Sequence, residues 1–264
     1  MAKFSCNVIS YTLRRTVDIT VIIPTPTIPE SMGLKAGAAP RHTPAAKYPV
    51  LYLLHGYGNN HATWTGYTNV ELYAEERQMA VVMFSAENKS YVDGPSGDQF
   101  FSFISEELPD FVTGMFPVSA KPEDTYIAGL SMGGYGTLVH GLNFPQRFRA
   151  LGAFSAAIDL DPAKLAGAES TAEPDPRFNL HKLAEKIASS GEAFPKIYMA
   201  CGAKDFLYED DKKFRDSLRT LGADVTWDET PEHGHEWRFW NIEVERFLDW
   251  LPRTDAYAGK RRQV

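Results

Sequence analysis

Short apolar runs recur along the chain from residue 48 onward: YPVLYLLHG, AVVMFSA, TYIAGL, RALGAFSA and KIYMACGA. Each is nearly continuous in apolar residues, the pattern of a strand buried on both faces of a parallel sheet. Between them lie stretches of helical period, Val70 to Gln78, Phe100 to Phe116, Gly134 to Phe144 and Asp210 to Leu221. A further strand, ADVTWDE, leads into EWRFWNIEVERFLDWL. There Trp237, Trp240, Val244, Phe247 and Leu251 recur every three or four residues and mark one apolar helix face. Ahead of the alternating region, FSCNVISYTL and TVDITVIIP are rich in β-branched residues and joined by a turn at Arg14 and Arg15. Strands alternating with helices predict an α/β fold, a mostly parallel central sheet with helices on both faces, in a single domain spanning 1–264.

Two segments break the rhythm. Residues 24–47 are loaded with Pro, Ala and Gly and read as a long surface loop rather than a linker, because neither flank could form a core alone. Residues 156–195 are polar and Pro-rich, with one short helix expected over Leu180 to Ser189. This insertion is expected to cross the C-terminal edge of the sheet, where α/β proteins bind ligands, and to act as a cap; a surface excursion is the alternative.

Composition narrows the class. The net charge of −7 and the absence of any Lys/Arg run before the final GKRRQV exclude a basic nucleic-acid footprint, and the basic end reads as a solvated terminus. No stretch approaches the roughly 18 apolar residues of a membrane span, and the first residues lack the apolar core of a leader. Cys6 and Cys201 are the only cysteines, so neither a disulfide framework nor a cysteine metal site is expected. The expectation is a cytoplasmic protein without cofactor or metal, its oligomeric state open to a homo-oligomer.

The chemistry concentrates in TYIAGLSMGGYGTLVHGL. Gly129-Leu130-Ser131-Met132-Gly133 is a G-x-S-x-G pentapeptide between a strand and a helix, the setting of a nucleophile elbow. Side chains two residues either side of the serine would collide with strand and helix. Gly134 and Gly136 would let the helix approach neighbouring strands. A phosphate-binding loop is the competing reading, but it lacks the G-x-G-x-x-G spacing and a Lys-Ser/Thr pair.

A serine hydroxyl needs a base, and the base needs an orienting carboxylate. With an elbow serine the expected order is Ser, acid, His. Asp205, in CGAKDFLYEDD, follows a strand by a short loop and is the expected acid. Asp210 and Asp211 read as first-turn helix residues, favourable near the dipole. His235, directly before the last helix, is the expected base, ahead of His233; His55 reads as structural. The oxyanion donors are expected to be the backbone N–H groups of Met132 and of Tyr57 in HGYGNN. Asn60 and Trp64 are the candidate substrate contacts, with a core placement the alternative for Trp64.

Together, YPVLYLLHGYGNNHATW, FFSFISEELPDFV, IAGLSMGGYGTL, CGAKDFLYEDDKKF and GHEWRFW resemble the esterase D-like branch of the α/β-hydrolases, above all tributyrin esterases. Feruloyl and acetylxylan esterases and S-formylglutathione hydrolases are relatives in that branch. The resemblance runs from about Thr16 to Leu251. It implies an α/β-hydrolase fold and a serine carboxylesterase acting on a small-molecule or oligosaccharide ester, through Ser131, Asp205, His235, Tyr57 and Met132. S-formylglutathione hydrolases usually carry Ser-Gly-Leu-Thr-Cys where this chain has HGYGNN, which argues against that thioester. Acyl transfer to an alcohol on the same scaffold and a non-catalytic binding role are the competing readings.

Overall fold

The computed structural model describes residues 1–34, 39–94, 97–160 and 175–264. Eight strands form one sheet, in the order β1-β2-β4-β3-β5-β6-β7-β8. β1 (Ala2–Ser10) pairs antiparallel with β2 (Arg15–Ile23), and β2 pairs antiparallel with β4 (Ala80–Phe84). β3 (Val50–Leu54), β5 (Thr125–Leu130), β6 (Ala150–Phe154), β7 (Lys196–Gly202) and β8 (Val225–Thr230) run parallel to β4 and to one another. Every residue of β3, β4 and β6 is buried, as their unbroken apolar runs require.

Helices cover both faces. On one side lie the helical stretch 100–115, α6 (Met132–Asn143), α7 (Leu180–Ser190) and α8 (Tyr208–Thr220). On the other lie α2 (Thr63–Tyr67), α3 (Val70–Glu76) and α9 (Trp237–Trp250), whose Trp240, Val244 and Phe247 pack on the sheet. The segment read as one helix from Phe100 to Phe116 is α4 (Phe100–Ser102), a π-helical turn (Phe103–Glu107) and α5 (Leu108–Met115) in continuous succession. The loop expected at 24–47 holds a one-turn helix, α1 (Ile28–Ser31), closed by a Thr27–Glu30 capping box. Among the described residues no helix is long and apolar enough to cross a membrane.

One expectation is corrected at the ends of the core, and another, the first-turn place of Asp211, holds with an added contact. The basic end is docked through Arg262, which is 11% exposed and pairs with Glu30 and Glu75, while Arg261, 56% exposed, pairs with Glu76 and Glu245 at the surface. Asp211 is a buried residue of α8, 1% exposed, and its carboxyl accepts the Ala156 N–H at 2.9 Å. Much of the expected cap, 161–174, lies outside the described residues. The flanking helix expected over Leu180 to Ser189 is α7.

The strand order makes β3 the reversal point: β4 lies on one side of it and β5 on the other. A crevice opens at the C-terminal ends of strands at such a point. The two segments richest in candidate chemistry, HGYGNN and LSMGG, leave the sheet at the ends of β3 and β5.

Candidate active site

Ser131 stands between β5 and α6 with φ 53° and ψ −116°, a left-handed conformation disfavoured for a residue with a side chain. The surrounding backbone fixes it there. The Ser131 N–H donates to the Phe154 carbonyl at 2.9 Å, and the Ser131 carbonyl accepts from Tyr135 (3.0 Å) and Ala157 (3.2 Å). The glycines on either side answer to close approach. A Cβ on Gly129 would lie 2.5 Å from the Gly133 carbonyl oxygen, and one on Gly133 would lie 2.5 Å from that of Leu54. Gly136 has a different reason from the one expected. It makes room for the ring of Tyr91, in a loop after β4, and not for a strand.

The Tyr57 loop abuts the serine. Leu54 is in register with Gly129, and a Cβ built on Gly56 would lie 3.6 Å from the Ser131 Cβ. The turn is held by the Gly58 N–H, which donates to Asn88 Oδ1 at 2.7 Å. The Tyr57 N–H has no acceptor among the described residues. The Met132 N–H opens α6, where the first N–H groups of a helix have no intrahelical carbonyl. Behind this loop His55 is 1% exposed; its Nδ1–H donates to the Gly56 carbonyl and its Nε2 accepts the Ala86 N–H. Burial pushes its imidazole down to about 4, so it is neutral and structural.

Asp205 and His235 come together from separate loops. Asp205 lies just beyond β7 and His235 just before α9, and the loops are tied by the Lys204 N–H donating to the His233 carbonyl at 3.0 Å. His235 Nδ1 sits 2.9 Å from Asp205 Oδ2 and 3.1 Å from Oδ1. The Asp205 side chain is fully buried, whereas that of His235 is 23% exposed. Burial alone would raise the Asp205 carboxyl. Hydrogen bonds from His235, the Leu207 N–H and the Ser155 hydroxyl outweigh it, and the group lies below its ordinary value. It is a carboxylate at neutral pH, oriented to accept Nδ1–H and leave Nε2 as the basic nitrogen. Among the described residues, no hydrogen bond joins Ser131 Oγ to His235 Nε2. Such bonds are often long before substrate arrives.

The remaining candidates divide. His233 pairs with Glu236 at 2.7 Å, away from the acid. Trp64 is fully buried, its indole N–H on the Leu54 carbonyl at 3.0 Å and its ring edge-on to Phe154 and Trp237. It is core and offers no surface to a substrate. Asn60 is exposed, and its Oδ1 accepts the Ala62 N–H at 2.9 Å, which commits that oxygen to the turn before α2.

Three residues beside the pair escape sequence reasoning. Ser155, fully buried at φ 44°, hydrogen-bonds Asp205 and accepts the Trp240 indole N–H at 3.2 Å. Trp240 sets its ring edge-on to His235 at 4.9 Å, and Phe206 packs on the imidazole at 4.7 Å. The one available signal was position: Ser155 ends GAFS on the strand between those that lead to Ser131 and Asp205.

Comparison with known proteins bears on the family and the fold. A family model described as Putative esterase matches residues 29–241. The chain is 32% identical over 224 residues to an acetyl esterase of Caldicellulosiruptor saccharolyticus, covering 77% of this chain and 83% of that one. It superposes on FphF, a fluorophosphonate-binding serine hydrolase of Staphylococcus aureus, with a TM-score of 0.82 at 28% identity, covering 95% of this chain and 98% of that one. It likewise superposes on FrmB, an S-formylglutathione hydrolase of the same organism, with a TM-score of 0.80 at 28% identity and the same coverage. The sheet, the elbow and these matches lead to one assignment: the chain belongs to the esterase family, in the esterase D-like branch of the α/β-hydrolase serine hydrolases.

Proposed function

We propose that this chain hydrolyses esters of short-chain or aromatic carboxylic acids through an acyl-enzyme on Ser131. The observation that carries the reading is the serine held at positive φ at the reversal point of the sheet, with a buried carboxylate paired to a partly exposed imidazole on loops at the same edge. His235 Nε2 takes the Ser131 proton as Oγ attacks the ester carbonyl carbon. The carbonyl electron pair moves onto oxygen, where the Tyr57 and Met132 N–H groups receive it. The oxyanion collapses, the C–O bond to the alcohol breaks, and His235 returns the proton to the leaving oxygen. Water then repeats the sequence on the acyl-enzyme and releases the acid. Asp205 remains a carboxylate throughout and holds the imidazole tautomer.

The test is hydrolysis of p-nitrophenyl esters from acetate to octanoate, with methyl ferulate and acetylated xylan, by the parent protein and Ser131→Ala. Turnover of at least one ester by the parent and its loss in the variant is expected. Equal turnover by the variant, or none by the parent across the panel, refutes the proposal. A thioesterase reading is favoured by the likeness to FrmB, and S-formylglutathione belongs in the same panel.

A further inference from the structure

A second cavity lies far from Ser131. Its volume is about 300 Å³, and it sits between the helical stretch 100–115 and the C-terminal half of α6. Its lining reaches Ser119, Pro122 and Thr125, at the N-terminal edge of the sheet. Thr125 begins β5 and Ser131 follows its end, so this end of the cavity is roughly 20 Å from the serine at about 3.3 Å per residue. The cavity is therefore separate from the site described above.

Its inner wall presents one hydroxyl that has no protein partner among the described residues. Tyr52, in the middle of β3, is 4% exposed, and its hydroxyl has no hydrogen-bond partner among the described residues. That hydroxyl is also absent from the polar atoms shut off from contact, so it faces open space, and Tyr52 lines this cavity. Beside it on the lining is His140, fully buried, whose Nε2–H donates to the Tyr91 carbonyl at 3.1 Å while Nδ1 has no partner. Burial pushes the imidazole down to about 4 and holds the Tyr52 phenol protonated, so both groups are neutral hydrogen-bonding groups at pH 7. His140 Nδ1 is itself shut off from contact, so the Tyr52 hydroxyl is the group of the two presented to the cavity, a neutral donor and acceptor with no protein partner among the described residues.

The rest of the cavity says what would partner that hydroxyl. Ile104, Phe144 and Phe148 supply apolar walls suited to a flat ring. At the rim, Arg147 spreads over the Phe144 ring at 4.5 Å and spends one N–H on the Ser105 carbonyl. No carboxylate pairs with it among the described residues, although Asp110 also lines the rim, so its other N–H groups are open to an anion. The geometry points to a second small-molecule site for a hydroxyaryl carboxylate, with hydroxyl inward on Tyr52, ring between Ile104, Phe144 and Phe148, and carboxylate outward on Arg147. This inference does not rest on the esterase reading.

The experiment uses the whole protein and 3-(4-hydroxyphenyl)propanoate as probe, with 3-phenylpropanoate as its hydroxyl-free control. A crystal soaked with the probe should show it in this cavity, its phenol oxygen within hydrogen-bond distance of Tyr52. Calorimetry should give at least fivefold weaker binding for the control probe, and for the parent probe with Tyr52→Phe or Arg147→Gln. Ester turnover by both variants should stay within twofold of the parent. A cavity holding only ordered water at saturating probe overturns the proposal, as does probe found only at the opposite edge of the sheet, or equal binding by parent and both variants.

Discussion

Gly133→Ala isolates the backbone part of the proposed machinery, because it alters no side chain that takes part in proton transfer. A Cβ at this position would meet the Leu54 carbonyl oxygen at 2.5 Å, the His55 carbonyl oxygen at 2.7 Å and the Leu54 carbonyl carbon at 2.8 Å. Contacts under 3.0 Å are essentially never tolerated, so elbow and β3 terminus must separate by at least 0.5 Å (3.0 less 2.5). Neither neighbour is a flexible side chain that could swing aside. The β3 terminus carries the Tyr57 loop and the elbow carries Met132, so the separation falls between the two proposed oxyanion donors. Losing one such donor costs about 10²–10³ in kcat, and a misplacement near 1 Å costs about 10². We therefore expect kcat on p-nitrophenyl butyrate to fall by about 10²-fold, with KM changed far less. Gly66→Ala, where a Cβ meets nothing within 4 Å, is the control and should retain parental kcat. Circular dichroism and thermal unfolding confirm that each variant is folded. A folded Gly133→Ala enzyme with kcat within threefold of the parent refutes the reasoning.

Ser155→Ala removes a donor to Asp205 and the acceptor of the Trp240 indole, and a hydrogen bond to a charged group is worth about 1.5–3 kcal/mol. Steady-state kinetics should show kcat down about tenfold or more at unchanged KM, and an unchanged kcat would remove Ser155 from the site. Trp64→Phe should lower stability by about 1–3 kcal/mol in urea while leaving KM within twofold, because the indole is core; a large rise in KM would restore it to the pocket. Glu243, buried beside Tyr198 and Asp228, is pushed up to about 7 chiefly by burial. The unfolded chain releases this proton near 4.5 and the folded one near 7, so the penalty is absent below 4.5, grows across that interval and is complete above 7. Glu243→Gln should therefore gain on the parent between pH 5 and pH 8, by up to about 3 kcal/mol in denaturant titrations; a pH-independent difference contradicts the shift.

The sequence was most legible where chemistry and backbone geometry coincide. The elbow declares itself because its glycines are demanded by neighbours close in the chain and by the adjoining strand, and the pairing of Asp205 with His235 was expected from the place of one after a strand and of the other before the last helix. What escaped was decided by contacts between distant segments. Ser155 matters because β6 ends between Ser131 and Asp205, and its partner Trp240 is 85 residues away. Arg262 looked solvated because the carboxylates that receive it, Glu30 and Glu75, stand on α1 and α3. Asp211 looked like a first-turn residue at a helix end, and it is, but that turn is pressed against the end of β6. A tryptophan after a glycine-rich loop reads the same whether it faces substrate or core, and only the sheet packing places Trp64. Helical periodicity from Phe100 to Phe116 likewise could not register a π turn, which shifts the face without ending the helix.

The central claim is that Ser131 is a nucleophile activated by the Asp205–His235 pair. Its most direct test is the rate of covalent labelling by a fluorophosphonate, mapped by peptide mass spectrometry, in the parent and in Asp205→Asn. One label is expected, on Ser131, forming about 10³-fold or more slowly in the variant, because the amide no longer holds the productive imidazole tautomer. A label on any other residue, or equal labelling rates in the two proteins, would contradict it.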